Sequence, residues 1–152
     1  MTSFTGLNRL SPQDVQLLFA LSPSELKKKI LLISDHALKI PSSTPVTHLS
    51  SHALVKLPYR NNSYDLLLCL DLNEDQYNLP LFLDFQRVAH EIRVFPIAHQ
   101  NGNLFPTIAQ IMLEFQKRQF GIEIKHIPSV LNIPSNALLR AWSQTCPVNA
   151  LP

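Results

Sequence analysis

The chain has 152 residues, 45% of them hydrophobic and 16% charged, with a formal net charge of +2. That balance excludes disorder, suits one domain with a core of its own, and leaves no basic pole for nucleic acid. Three glycines, Gly6, Gly102 and Gly121, are too scattered for a Gly-rich phosphate loop, and two cysteines, Cys69 and Cys146, are too few for a disulfide scaffold.

In chain order, Met1–Leu10 lacks the apolar stretch of a signal peptide. Ser11-Pro12-Gln13-Asp14 reads as an N-cap, a proline in the first turn and an acid behind it, followed by a stripe of Val15, Leu18 and Phe19. Ser22-Pro23-Ser24-Glu25 repeats the device with capping-box spacing. Its short helix ends in Lys27, Lys28 and Lys29, read as a solvated end suited to the helix dipole. Ile30–Ile33 is a continuous apolar run, the pattern of a buried parallel strand. Residues 35–63 are proline- and serine-rich and hold only scraps of strand, at Val46–Leu49 and Leu54–Leu57.

From Tyr64 the pattern sharpens. Asp65–Leu70 is a second buried strand, Leu79–Ala89 a helix, and Glu91–Phe95 a strand ended by Pro96. Gly102 marks a turn. Phe105, Ile108, Met112 and Phe115 recur at helical spacing, in a helix expected to stop at Gly121. Ile122–Ile127 alternates as a strand, Asn132–Asn136 turns the chain, and Ala137–Trp142 is the last strand. Only a turn separates the final two, so they are expected to be antiparallel. Strands alternating with helices argue for an α/β domain with a largely parallel sheet.

Leu57-Pro58-Tyr59, then Ser63-Tyr64-Asp65-Leu66-Leu67-Leu68-Cys69, resembles the middle of class I S-adenosylmethionine-dependent methyltransferases. There a leucine–proline–aromatic step leads into a strand on the floor of the cofactor site. Phe85–Pro96, with Arg87-Val88-Ala89 and Arg93-Val94-Phe95-Pro96, is similar to a stretch of one bacterial group of that family. Gly121-Ile122-Glu123-Ile124 and the terminal hairpin fit its closing strands. The resemblance runs from about Leu54 to Trp142. It implies a reduced Rossmann-like fold, with a mostly parallel sheet and an antiparallel C-terminal strand. The expected organisation is one domain over 1–144: N-terminal helices at 1–29, a reduced front at 30–63 and a better-matching back at 64–144, with a tail at 145–152.

The front departs from the family. After Ile33 the chain reads Ser34-Asp35-His36-Ala37, with no glycine to let a cofactor approach the backbone. After Val46–Leu49 comes Ser50-Ser51-His52, with no acid for the ribose hydroxyls. No bound cofactor is therefore expected, and the reading is a degenerate methyltransferase-like binding or scaffold module. The alternative is an active S-adenosylmethionine-dependent enzyme with an atypical site, and a third reading is a fragment of a split enzyme whose partner chain supplies the missing front. In that alternative the cofactor would meet Ser34, Asp35, Asp71 and Asn73, near the carboxyl ends of strands where α/β sheets bind ligands.

Other chemistry finds less support. His48 and His52 have helical ligand spacing but lie in no helical pattern, and His90-Glu91 lacks the second histidine of a zinc helix, so no metal is expected. Cys69 reads as a buried apolar residue, not a thiolate. Arg87 and Arg93 read as ion-paired. Two short and two longer helices are few for five or six strands, so one sheet face is expected to be bare and to seek a protein partner or a second copy. Partners are thus expected to be protein, not nucleic acid or membrane. The compartment expected from the cysteines is the cytoplasm.

Overall fold

The computed structural model describes residues 10–36, 38–42, 45–99, 101–127 and 137–143. Among them the apolar runs form strands buried on both faces. Ile30–Ile33 (β1) and Tyr64–Leu70 (β3) lie side by side in parallel, with Ile33 opposite Cys69. Thr47–Leu49 (β2) flanks β1, and Ala89–Phe95 (β4) flanks β3, both in parallel. Gly121–His126 (β5) and Ala137–Trp142 (β6) are antiparallel, as expected, but β6 also pairs antiparallel with β4. The sheet order is β2-β1-β3-β4-β6-β5. The molecule is an α/β protein with a mixed, mostly parallel sheet.

Alternation along the strands splits the core in two. Leu31, Ile33, Leu67, Cys69, Ile92 and Val94 face the helices Leu79–Val88 (α2) and Pro106–Lys117 (α3). Ile30, Leu32, Leu66, Leu68 and Leu70 face Pro12–Leu18 (α1), through Val15, Leu18 and Phe19. The Ser11 cap forms as read, with Ser11 and Asp14 exchanging hydrogen bonds at 3.1 Å. Ser22 and Glu25 also exchange bonds, but the element behind them is only a 3-10 turn, Glu25–Lys27. Lys27, Lys28 and Lys29 are exposed.

Three boundaries differ from expectation. Leu54–Leu57 is not a strand, because polar side chains take its backbone. Asp84 Oδ2 accepts the Leu57 amide at 2.6 Å, Arg87 Nη2 donates to the Leu57 carbonyl at 3.1 Å, and Gln76 Nε2 donates to the Leu54 carbonyl at 3.1 Å. Helix α3 ends at Lys117, before Gly121. Gln119 takes the left-handed conformation at φ 63°, and the Phe120 amide closes on the Phe115 carbonyl at 3.0 Å. A 3-10 turn, Glu74–Gln76, interrupts the polar link to α2. The expected turn at Asn132–Asn136 and the tail at 145–152 lie outside the described residues.

The face opposite α2 and α3 is not bare over β4, β6 and β5. It carries a charged row. Arg93, 2% exposed, donates to Glu91 at 2.7 Å, to the Phe19 and Ala20 carbonyls at 2.9 Å, and to Glu25. Arg140 donates to Glu91 at 2.6 Å and Glu123 at 3.2 Å. Arg93 thereby ties the C-terminal end of α1 to the sheet. Arg87 is paired too, with Asp84 at 2.7 Å.

Acid should weaken this fold. Burial pushes the Glu25 carboxyl up, but hydrogen bonds from the Ser22 amide and Arg93 outweigh it and leave the pKa lowered. At Asp84, burial is likewise outweighed by Arg87 and the Leu57 amide. A carboxyl lowered on folding stabilises the native state above its unfolded pKa of about 4, and loses that contribution as pH falls through the folded value. The urea midpoint is expected to decline below about pH 4 and to owe no change to these groups between about pH 5 and 7. A midpoint that rises on acidification would show the signs to be reversed.

Candidate functional site

The carboxyl ends of β1 and β3 lie together because these strands are parallel and in register. Three residues past Ile33 comes His36. Two past Cys69 comes Asp71. Their side chains meet across the gap, His36 Nε2 to Asp71 Oδ2 at 3.1 Å, and both are largely buried, at 12% and 3% exposure. Asp71 adopts φ 60°, a left-handed conformation costing an L residue on the order of 1 kcal/mol. Its amide donates to the Phe95 carbonyl at 2.7 Å, which fixes it against the end of β4. Its second oxygen, Oδ1, is buried and has no hydrogen-bond partner among the described residues.

The turn after β1 is filled with internal bonds. The buried Ser34 accepts the His36 amide on Oγ at 2.9 Å, and its carbonyl lies 2.9 Å from His48 Nε2. Asp35 turns toward the residues that follow β2. Its Oδ1 accepts the Ser50 hydroxyl at 2.5 Å and the Ser51 and His52 amides at 3.1 Å. The Ser50 bond, with those amides and against burial, lowers the Asp35 pKa. Asn73 is exposed and caps the Glu74–Gln76 turn in a reciprocal arrangement with Gln76. Of the four residues read from the sequence, Ser34 and Asp71 are brought together through His36. Asp35 and Asn73 serve neighbouring turns.

Beneath Asp71 the surroundings are closed. Burial pushes the Cys69 thiol well up, and the Asp71 charge adds to it, so Cys69 is an inert core residue. Tyr77 is buried and donates its hydroxyl to the Pro96 carbonyl at 2.6 Å. Burial also raises its pKa far beyond the ordinary phenol value. His36 and Tyr77 are not site residues in the sequence reading, and His48 enters it only beside His52 as a ligand spacing. The β1–β3 register is what counts His36 onto Asp71. His48 lies in β2 and His52 in a turn, so the two share no helix. Among the described residues no group of three or more His, Cys, Asp or Glu could hold a metal ion.

The opposite, amino end of the sheet is more open. A cavity of about 490 Å³ is lined there by Lys28, Asp65, His90, Glu91, Arg140 and Trp142. The Arg140 guanidinium lies 5.0 Å from the Trp142 ring centroid. No helix among the described residues is long and apolar enough to cross a membrane. No protein-family model matches this chain, and no curated protein matches it significantly.

Proposed function

We propose that this chain is a reduced methyltransferase-like protein that does not carry S-adenosylmethionine and acts as a binding or scaffold module. One observation carries the reading: the crevice between the ends of β1 and β3 is bridged by the protein's own His36–Asp71 pair. A nucleoside cofactor needs that turn open and its polar groups unspent. Here Ser34, Asp35 and His36 all hold internal hydrogen bonds, and no carboxylate follows β2. The residues present do not fit the cofactor. The mostly parallel sheet with an antiparallel last strand is consistent with the reduced Rossmann-like fold that the resemblance implies. The cavity at the amino end of the sheet offers a mixed-charge, tryptophan-bearing surface for a macromolecular partner.

The test is a thermal-shift titration with S-adenosylmethionine and its demethylated product. The expected result is an unchanged Tm up to millimolar ligand. A ligand at about 100 times its Kd stabilises a fold by about 2.7 kcal/mol, a shift of roughly 5–10 °C at this size. A saturable shift of that kind overturns the proposal. It would favour the second reading, an active enzyme with an atypical site, which has one observation behind it: the buried, unpartnered Oδ1 of the left-handed Asp71.

A further inference from the structure

We infer that β5 is a self-association edge, along which two copies of the chain join their sheets antiparallel about a two-fold axis at Ile124. Among the described residues β5 ends the sheet, with β6 as its neighbour on one side only. A strand in that position presents a row of backbone donors and acceptors able to pair with another strand. Its side chains are sorted by face. Ile122 and Ile124 are half-buried and continue the core under α2 and α3, together with Phe120 and Met112. Glu123 and Lys125 lie on the other face, where Glu123 sits opposite Arg140.

The occupant follows from the charge pattern. Two sheets that fuse into one keep their faces, so opposed residues must share a parity. Two registers of that kind leave most of β5 opposed to its copy. One is centred on Glu123, spans Gly121–Lys125, and sets Glu123 against Glu123. The other is centred on Ile124 and spans Ile122–His126. It sets Glu123 against Lys125 of the second copy, twice by symmetry, with Ile124 against Ile124 on the apolar face. Opposite charges in directly opposed positions stabilise a strand pair, and like charges destabilise it. The sequence Ile122-Glu123-Ile124-Lys125 is therefore complementary to itself in one register.

The flanks agree. Four large apolar side chains are exposed among the described residues, and two of them, Leu17 and Leu113, belong to helices beside this edge. Leu17 lines a groove of about 290 Å³ together with Lys125 and His126. Leu113 lies on α3, which packs on β5. The inference does not depend on whether the chain binds a cofactor.

Sedimentation equilibrium of the full chain tests it, with variants Glu123→Lys and Lys125→Glu. The wild type is expected to be a dimer at micromolar concentration. Each single variant sets like charges opposite each other, and self-association is expected to weaken by about tenfold or more. Mixed in equal amounts, the two variants present Lys against Glu at both positions, and the mixture is expected to dimerise again. Lys125→Glu leaves the Glu123–Arg140 contact in place, so it remains informative if Glu123→Lys folds poorly. A monomeric wild type overturns the inference and leaves Lys125 as a guard against edge pairing. So does a Lys125→Glu protein that stays dimeric, or a mixture of two folded variants that does not associate.

Discussion

Replacing Arg93 with methionine is expected to destabilise the protein by about 3–5 kcal/mol, the largest effect of any single polar substitution here. The side chain is 2% exposed and answers four acceptors on three segments: Glu25, Glu91 and the carbonyls of Phe19 and Ala20. Removing it leaves Glu25 without its cation, Glu91 with Arg140 alone, and the Phe19 and Ala20 carbonyls without their donor. Burial of the guanidinium is costly in itself, so the loss arises mainly from what is stranded behind it. Natural domains have only about 5–15 kcal/mol to lose. The Tm is expected to fall by roughly 6–20 °C, with the urea midpoint moving in parallel. Arg140 supplies the comparison. It joins the same row but is 30% exposed, so Arg140→Met is expected to cost about 1 kcal/mol or less. Equal losses from the two substitutions would mean that Arg93 is no more important than a surface ion pair.

Gly121→Ala is expected to be the most damaging of the small changes. A Cβ placed on Gly121 would lie 2.1 Å from Cε2 of Trp142, far inside contact distance. The indole cannot yield without leaving the Arg140 guanidinium that lies over it. Overpacking of this kind costs about 1–3 kcal/mol. Trp142 is the only tryptophan, so its emission reports on the event directly. The spectrum is expected to shift to longer wavelength as the ring gains water. Gly102→Ala is the control. Its φ is 91° and nothing lies within 4 Å of the added carbon, so the variant is expected to lose about 1 kcal/mol of stability to added backbone strain, with no change in emission. An unchanged spectrum in Gly121→Ala would show that the indole does not rest on this glycine.

The sequence exposed those parts of the fold whose cause is local. The Ser11 cap, the two apolar strands and the helix before β4 each follow from neighbours within a few positions. The end of α3 did not, because Gly121 looks like a stop while its reason for being glycine is a tryptophan in another strand. Leu54–Leu57 looked extended, but its hydrogen-bond partners are side chains 22 to 30 residues away. The site was half legible for the same reason. Asp71 could be placed at the end of a strand. That His36 would reach it, and that Asp35 would turn to Ser50, depends on pairing between β1, β2 and β3. The expected bare apolar face is not found at Arg93 and Arg140, where a charged row, buried at Arg93 and part-exposed at Arg140, occupies the sheet face.

The position of β6 bears on how the molecule is made. It is the last of the described strands in sequence order, yet it lies between β4 and β5. A ribosome delivers β5 before the strand that must separate it from β4. Until Ala137–Trp142 emerges, β5 has no place in the native sheet, and the flank of β4 from Glu91 to Val94 lacks its neighbour. The nascent chain then offers two open strand borders at once, one apolar on its α3 side, and each can pair wrongly with the other or with a neighbouring chain. Completion of the described sheet waits for Ala137–Trp142, and a product truncated before Ala137 is expected to be prone to aggregate.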